Sequence, residues 1–375
     1  MWNRLPTAVR PRPGRMVNRG MQIEDVPTPA LVLNVDAVER NLQRMAEDCR
    51  AAGVALRPHA KTHKSPWIAG RQVQLGAAGI CAAKVGEAEV LVQGGIEDVL
   101  ITTDLVPSTM DRALDLAGLA HVTVVVDSVA MAQELGQRAR QRGLEVSVLV
   151  DVNVGQERTG VDAGPPTVEV AKAVAEERGL RLAGLQAYEG HCQLVFDPWE
   201  QRRRAFECYE RLLATRQLLE EAGLRLPWIT TAGTGTYRLA IEHGVATEVQ
   251  PGSYVVMDTQ YARVEPARFE NALYVISSVV STNRPNRAVV DAGWKSLSCD
   301  LGPPMVKDRQ EPAYEFAGDE HGRVSGLGPA REGDRVWLVP SHCDTTINLY
   351  DRYVLVRDDG RVQGTLPVAA RGRSA

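Results

Sequence analysis

The chain has 375 residues, with 43 Lys and Arg against 47 Asp and Glu. A formal net charge of -4 gives no electrostatic case for a nucleic-acid or anionic-membrane partner, so small-molecule chemistry is the better expectation. The length exceeds one ordinary core and suits a large barrel with a second domain.

No apolar run approaches a membrane span, and the N-terminus lacks the apolar core of a secretory signal. The six cysteines (Cys49, Cys81, Cys192, Cys208, Cys299, Cys343) are scattered, without the short spacing of a zinc knuckle or redox motif. A reduced, cytoplasmic protein is expected. Residues 1–20 carry five arginines, three prolines and no acid, and read as a loose tail.

From Leu31 onward short β-branched runs alternate with helical patterns. A strand at Ala30 to Asn34 and a helix around Val38 to Ala52 come first. Eight runs follow: Ala55 to His59, Gly79 to Ala83, Val99 to Thr102, Val122 to Val126, Glu145 to Val152, Leu182 to Tyr188, Trp228 to Thr231 and Thr247 to Gln250. Near-continuous apolar strands separated by helices such as Ala205 to Ala222 mean a parallel sheet buried on both faces, and eight of them a (β/α)8 TIM-type barrel over 21–258. After about Tyr254 the pattern changes to strands at Ala272 to Ser281, Arg287 to Asp291, Arg335 to Val339 and Tyr353 to Val356. Turns fall at Asn283 to Asn286 and Asp358 to Gly360. Residues 259–375 therefore read as a mainly antiparallel β domain to which the strand Ala30 to Asn34 is a candidate member, with a frayed tail after Pro367.

A barrel of this kind works at the carboxyl ends of its strands. The first run ends in RPHAKTHK, Arg57 to Lys64. There Lys61 is a candidate nucleophile whose pKa the neighbouring His59, His63 and Lys64 would lower; the alternative is a solvated basic loop. The fifth run leads into DVNVGQERTG, bringing Arg158 to the rim. The sixth ends in AYEGHCQ, bringing Tyr188, Glu189 and His191. The seventh and eighth end in TAGTGTY and QPGSY, glycine-rich and hydroxyl-bearing, where barrels hold phosphate. A phosphate site opposite a strand-one lysine is what pyridoxal 5'-phosphate requires. Far along the chain, PSHCDTTINLYD places His342 and Asp344 two apart. In an extended chain they share one face and Cys343 the other, a plausible divalent-metal pair or a hydrogen-bonded pair at a domain interface.

In combination, RPHAKTHK, AYEGH, TAGTGT, PGSY and PSHCD resemble the D-threonine aldolases, of the alanine-racemase-like class of pyridoxal-phosphate enzymes, across residues 24–367. The resemblance implies that Lys61 forms the Schiff base with the cofactor. It places Thr234, Gly252, Ser253 and Tyr254 on the phosphate, Tyr188 near the pyridine ring and Arg158 by the cofactor. His342 and Asp344 would hold a divalent metal, manganese before magnesium, cobalt or zinc. The implied reaction is retro-aldol cleavage of D-3-hydroxy-amino acids, with His191 taking the β-hydroxyl proton, in a homodimer. Alternatives are a D-serine or D-threo-3-hydroxyaspartate type dehydratase and a non-catalytic cofactor carrier.

Overall fold

The computed structural model describes residues 20–309 and 313–375; the tail expected over 1–20 lies, up to residue 19, outside the described residues. Strand β1 (Ala30–Asn34) passes directly into the helix Val35–Ala52. Asn34 makes that junction, its side chain accepting the N–H groups of Asp36 and Ala37, and Gly53, in the left-handed region at φ 66°, ends the helix.

The eight expected runs then appear as β2 (Ala55–Leu56), β3 (Ile80–Ala82), β4 (Asp98–Ile101), β5 (His121–Val126), β6 (Val146–Asn153), β8 (Leu180–Ala187), β9 (Trp228–Thr231) and β10 (Glu248–Val249). A short β7 (Val161–Asp162) sits beside β6. All are parallel, in the order β2-β10-β9-β8-β6-β5-β4-β3. The ends of this sheet meet through the His59–Cys81 bridge and the bonds from Ala78 N–H to Leu56 O and Cys81 N–H to Pro58 O, both 2.8 Å. The barrel is thus closed by the very segment that carries Lys61.

Inside the barrel, Cys81, Leu100, Val125 and Leu149 make a small apolar plug, whereas Ile80 and Ala82 join the larger cluster that includes the surrounding helices. Beside the plug lies Arg57, its side chain 5% exposed. It donates Nε to Glu248 at 3.0 Å and Nη1 to Asp98 at 2.5 Å. Gly79 makes room for it: a Cβ there would collide with the guanidinium and lie 2.7 Å from Asp98 Oδ1. Arg57 so binds the first barrel strand to the second-next and to the last.

The second sheet runs β14-β15-β12-β11-β1-β17-β18 and comprises β11 (Leu273–Arg284), β12 (Arg287–Val290), β13 (Met305–Val306), β14 (Tyr314–Phe316), β15 (Gly322–Ser325), β16 (Arg335–Val339), β17 (Arg352–Val356) and β18 (Val362–Pro367), with β13 and β16 attached at β11. It is antiparallel except where β1 pairs with β17. Asn286 at φ 55° and Gly360 at φ 78° make the two expected turns. The segment after Pro367 does not fray. Val368 donates its N–H to Asp351 O at 2.9 Å and Ala370 to Lys64 O at 3.0 Å, and both side chains are buried. Backbone hydrogen bonds and two small apolar side chains outweigh the basic composition that pointed to a loose end. Among the described residues no helix is long and apolar enough to cross a membrane.

Removing Arg57 leaves Glu248 in the barrel without its counter-charge, which costs about 3–5 kcal/mol. Arg57→Ala is therefore expected to lower the thermal midpoint sharply in a calorimetric or circular-dichroism melt, whereas an exposed pair such as Arg203–Glu207 is expected to change it little when truncated.

Candidate active site

A cavity of about 360 Å³ opens at the carboxyl ends of the barrel strands. Of the residues expected at the site, Lys61, Arg158, Tyr188, His191, Thr234, Gly252, Ser253, His342 and Asp344 all line it. Tyr254 does not. Its phenol is buried, donated a hydrogen bond by Gln72 Nε2 at 2.9 Å and packed against Phe269, because the turn at Ser253–Val255 directs it into the core. What Tyr254 offers the loop is its backbone N–H, given to Thr234 Oγ1 at 3.0 Å.

Lys61 stands in a pinned turn. Lys64 adopts φ 50° and pairs with the buried Glu87, which also accepts the N–H of Ala83 at 2.8 Å. From the β domain, the Tyr353 hydroxyl donates to His63 O at 2.7 Å. His59 Nδ1 accepts the Lys61 N–H at 3.4 Å, so its other nitrogen carries the proton and donates to Thr102 Oγ1 at 3.1 Å.

The crowd of cations expected to lower the Lys61 pKa is not there. Burial holds His59 well below the usual imidazole range and His63 at about 4, so both are neutral at pH 7, and Lys64 is matched by Glu87. Lys61 itself lies above the ordinary lysine value: burial lowers it, but Tyr188 and Asp344 outweigh burial and Arg158. Burial also raises the Tyr188 pKa and keeps that phenol neutral at pH 7, which leaves the Asp344 carboxylate, 4.0 Å from Lys61 Nζ, as the charge that acts.

The glycine turns are shaped for close backbone approach, and the one at Gly252 stands beside the lysine turn rather than opposite it, because the last barrel strand pairs with the first. A Cβ on Gly252 would stand 2.7 Å from Thr62 Oγ1, and one on Gly233 2.6 Å from Gln193 Oε1. Thr62 Oγ1 is buried and without a hydrogen-bond partner, a hydroxyl left for a ligand. Two buried side chains hold the turns. Glu189 accepts the hydroxyls of Tyr209 and Thr231 at 3.0 Å and of Thr236 at 2.5 Å, while Gln193 binds Thr236 Oγ1 at 2.5 Å and the Gly235 N–H at 3.0 Å. The Arg158 guanidinium lies 5.5 Å from the Tyr188 ring centroid.

His342 and Asp344 meet the cavity, but not as neighbours on one face of a strand. His342 is extended and caps a short helix, Cys343–Ile347, whose first turn carries Asp344. The start of that helix is bonded to Asp258, a buried carboxylate that accepts the N–H groups of Gln260, Tyr261 and Cys343 at 2.9–3.0 Å. His342 Nδ1 lies 2.5 Å from Asp300 Oδ2. Donation to that carboxylate fixes the tautomer and leaves Nε2 with a free lone pair, the arrangement of a metal-ligating histidine.

Asp258, Asp300, Thr62 and Gln193 were not singled out from the sequence. Asp300 lies 42 residues from His342, and only the folded chain brings them together. The DT of MDTQ and the QL of HCQL carry no motif of their own. Asp300→Asn is expected to weaken divalent-metal binding 10- to 100-fold in a titration calorimetry or manganese resonance experiment. A second expectation concerns acid. Because folded His63 titrates near 4 against 6.5 when free, its contribution to stability is complete above pH 6.5 and lost as pH falls through 4, about 3 kcal/mol in all. His63→Gln is expected to flatten that part of the stability profile in denaturant titrations at pH 7, 5.5 and 4.

Residues 33–260 match the family described as "Alanine racemase, N-terminal domain", and residues 272–356 the "Putative serine dehydratase domain". The chain is 40% identical to the D-threonine aldolase of Arthrobacter sp, with 95% of each chain covered. It is 38% identical to the 3-hydroxy-D-aspartate aldolase of Paracoccus denitrificans (strain Pd 1222), with 94% of each covered. The crystal structure of D-threonine aldolase from Filomicrobium marinum superposes with a TM-score of 0.92 at 42% identity, covering 96% of this chain and 99% of that one. The fold and the relatives agree: the chain belongs to the D-threonine and 3-hydroxy-D-aspartate aldolase family, built on the alanine racemase N-terminal domain.

Proposed function

We propose that this protein cleaves the Cα–Cβ bond of D-3-hydroxy-amino acids, converting D-threonine to glycine and acetaldehyde, with pyridoxal 5'-phosphate and a divalent metal ion. The observation that carries this reading is the 4.0 Å approach of Lys61 Nζ to Asp344 Oδ2, which brings the lysine of the barrel and the acid of the β domain into one cavity. Dehydratases are also among the relatives, at lower identity.

The residues present fit the cofactor. Lys61 would attach it, and Thr234, Gly252, Ser253 and the orphan hydroxyl of Thr62 would take its phosphate, with Tyr188 and Arg158 beside the ring. When bound, the cofactor supplies an electron sink at Cα and the metal a positive charge that lowers the pKa of the substrate β-hydroxyl. The nitrogen and carboxylate oxygen of His342 and Asp344 suit a borderline-to-hard ion, and manganese is the one proposed.

His191, exposed at the cavity wall, takes the β-hydroxyl proton as the Cα–Cβ bond breaks, and Lys61 returns a proton to Cα of the departing glycine. The homodimer and cytoplasmic location expected from the sequence belong to the same proposal.

Assay of D-threonine with manganese is expected to yield glycine and acetaldehyde in equal amounts, and chelation to abolish them; a keto acid and ammonia instead would establish a dehydratase. Lys61→Ala is expected to lose both the cofactor's protein-bound absorbance and turnover. His191→Asn is expected to keep the absorbance and lower kcat by about 10²–10⁴.

A further inference from the structure

Among the described residues, the one group of three His, Cys, Asp or Glu side chains close enough to share an ion is not the His342–Asp344 pair. It is His191, Cys192 and Cys208, whose donor atoms all lie within 4.8 Å of one another. The three come from two elements. His191 and Cys192 sit in the single turn Gly190–Cys192 after β8, and Cys208 lies on the long helix Pro198–Glu221. Both thiols are free and buried, whereas the imidazole reaches the cavity.

The spacing of these donors suits an ion as well as the thiol hydrogen bond that links two of them. Zinc binds thiolate sulfur at about 2.3 Å and imidazole nitrogen at about 2.0–2.1 Å, so the nitrogen-to-sulfur edge of a tetrahedral site is about 3.6 Å. His191 Nε2 lies 3.6 Å from Cys208 Sγ. Two sulfurs and one nitrogen leave a fourth position open, as in mononuclear sites that keep a water. The donor set is also softer than that of His342 and Asp344 and selects a different ion.

We propose that Cys192, Cys208 and His191 form a second metal site, for a thiophilic divalent cation of the zinc class, and that its occupation inhibits the enzyme. Binding releases the two thiol protons and changes no oxidation state. The inhibitory half rests on the reading of His191 as the base: an imidazole whose Nε2 lone pair is given to zinc has none left for the β-hydroxyl proton. Zinc thus acts against the manganese-dependent reaction in the same cavity but through residues other than the metal pair.

The test uses the manganese-loaded holoenzyme in a Cys299→Ser background, which removes the exposed thiol, with a phosphine reductant present. Added Cd2+ is expected to give a thiolate-to-metal ultraviolet band that saturates near one equivalent. That band is expected to survive His342→Ala and to vanish in Cys208→Ala and Cys192→Ser. His191→Asn, an exposed position that spares the core, is expected to weaken Cd2+ binding at least tenfold. Added Zn2+ is expected to lower D-threonine cleavage at least tenfold, and Cys208→Ala to retain its basal activity and resist zinc. Absence of the band, or its persistence in Cys208→Ala and at unchanged affinity in His191→Asn, overturns the site. A normal band with undiminished turnover upholds the site and overturns the role of His191 as base.

Discussion

The Arg57 guanidinium, shared between Glu248 and Asp98 inside the barrel, is the interaction on which the site depends. A closed parallel barrel must join its first strand to both neighbours, yet here that strand has only two regular residues, Ala55–Leu56. A few backbone hydrogen bonds and one buried cation complete the seam. Lys61 follows four residues later, so the position of its amine is inherited from how the barrel closes. The same turn is gripped from outside by Glu87 through Lys64 and from the β domain by Tyr353 through His63 O. Rigidity of this kind costs conformational entropy once, at folding, and spares it at each encounter with substrate.

The site is organised by carboxylates that do not line the cavity, Glu189 and Asp258 buried and Asp300 exposed. Glu189 gathers three hydroxyls and so joins the loop after β8 to the glycine turn after β9. Asp258 gathers three backbone N–H groups and joins the end of the barrel to the helix that bears Asp344. Asp300 holds His342 in one tautomer. Hydrogen bonds to an ionised acceptor are among the stronger kinds, and each of these links segments that are distant in the chain.

Much of this was legible in the sequence. Parallel strands buried on both faces leave near-continuous apolar runs, so the eight strands could be counted, and rim residues follow from strand ends. The lysine, the glycine turns and the His-x-Asp pair were visible as motifs. What remained hidden depends on the environment that folding creates. His59 and His63 look like cations in a string of letters, but burial makes them neutral. The extended chain considered for His342 to Asp344 is a short helix from Cys343 onward, with the N–H of Cys343 accepted by Asp258, 85 residues away in the chain. Tyr254 adjoins the phosphate-type turn in sequence, yet its ring belongs to the core.

The five-residue helix Cys343–Ile347 has a consequence for how such enzymes diversify. The cofactor's prospective contacts all stand on barrel loops, whereas the acid 4.0 Å from the lysine stands on this separate helix, held by Asp258 at the Cys343 N–H and by the Ser298 N–H at Thr346 Oγ1. On the proposed reading of Asp344 as a metal ligand, a substitution at position 344 would alter which bond is broken while the cradle, the barrel seam and the lysine turn stay as they are. On that reading, reaction type and cofactor retention are in this architecture separately heritable traits.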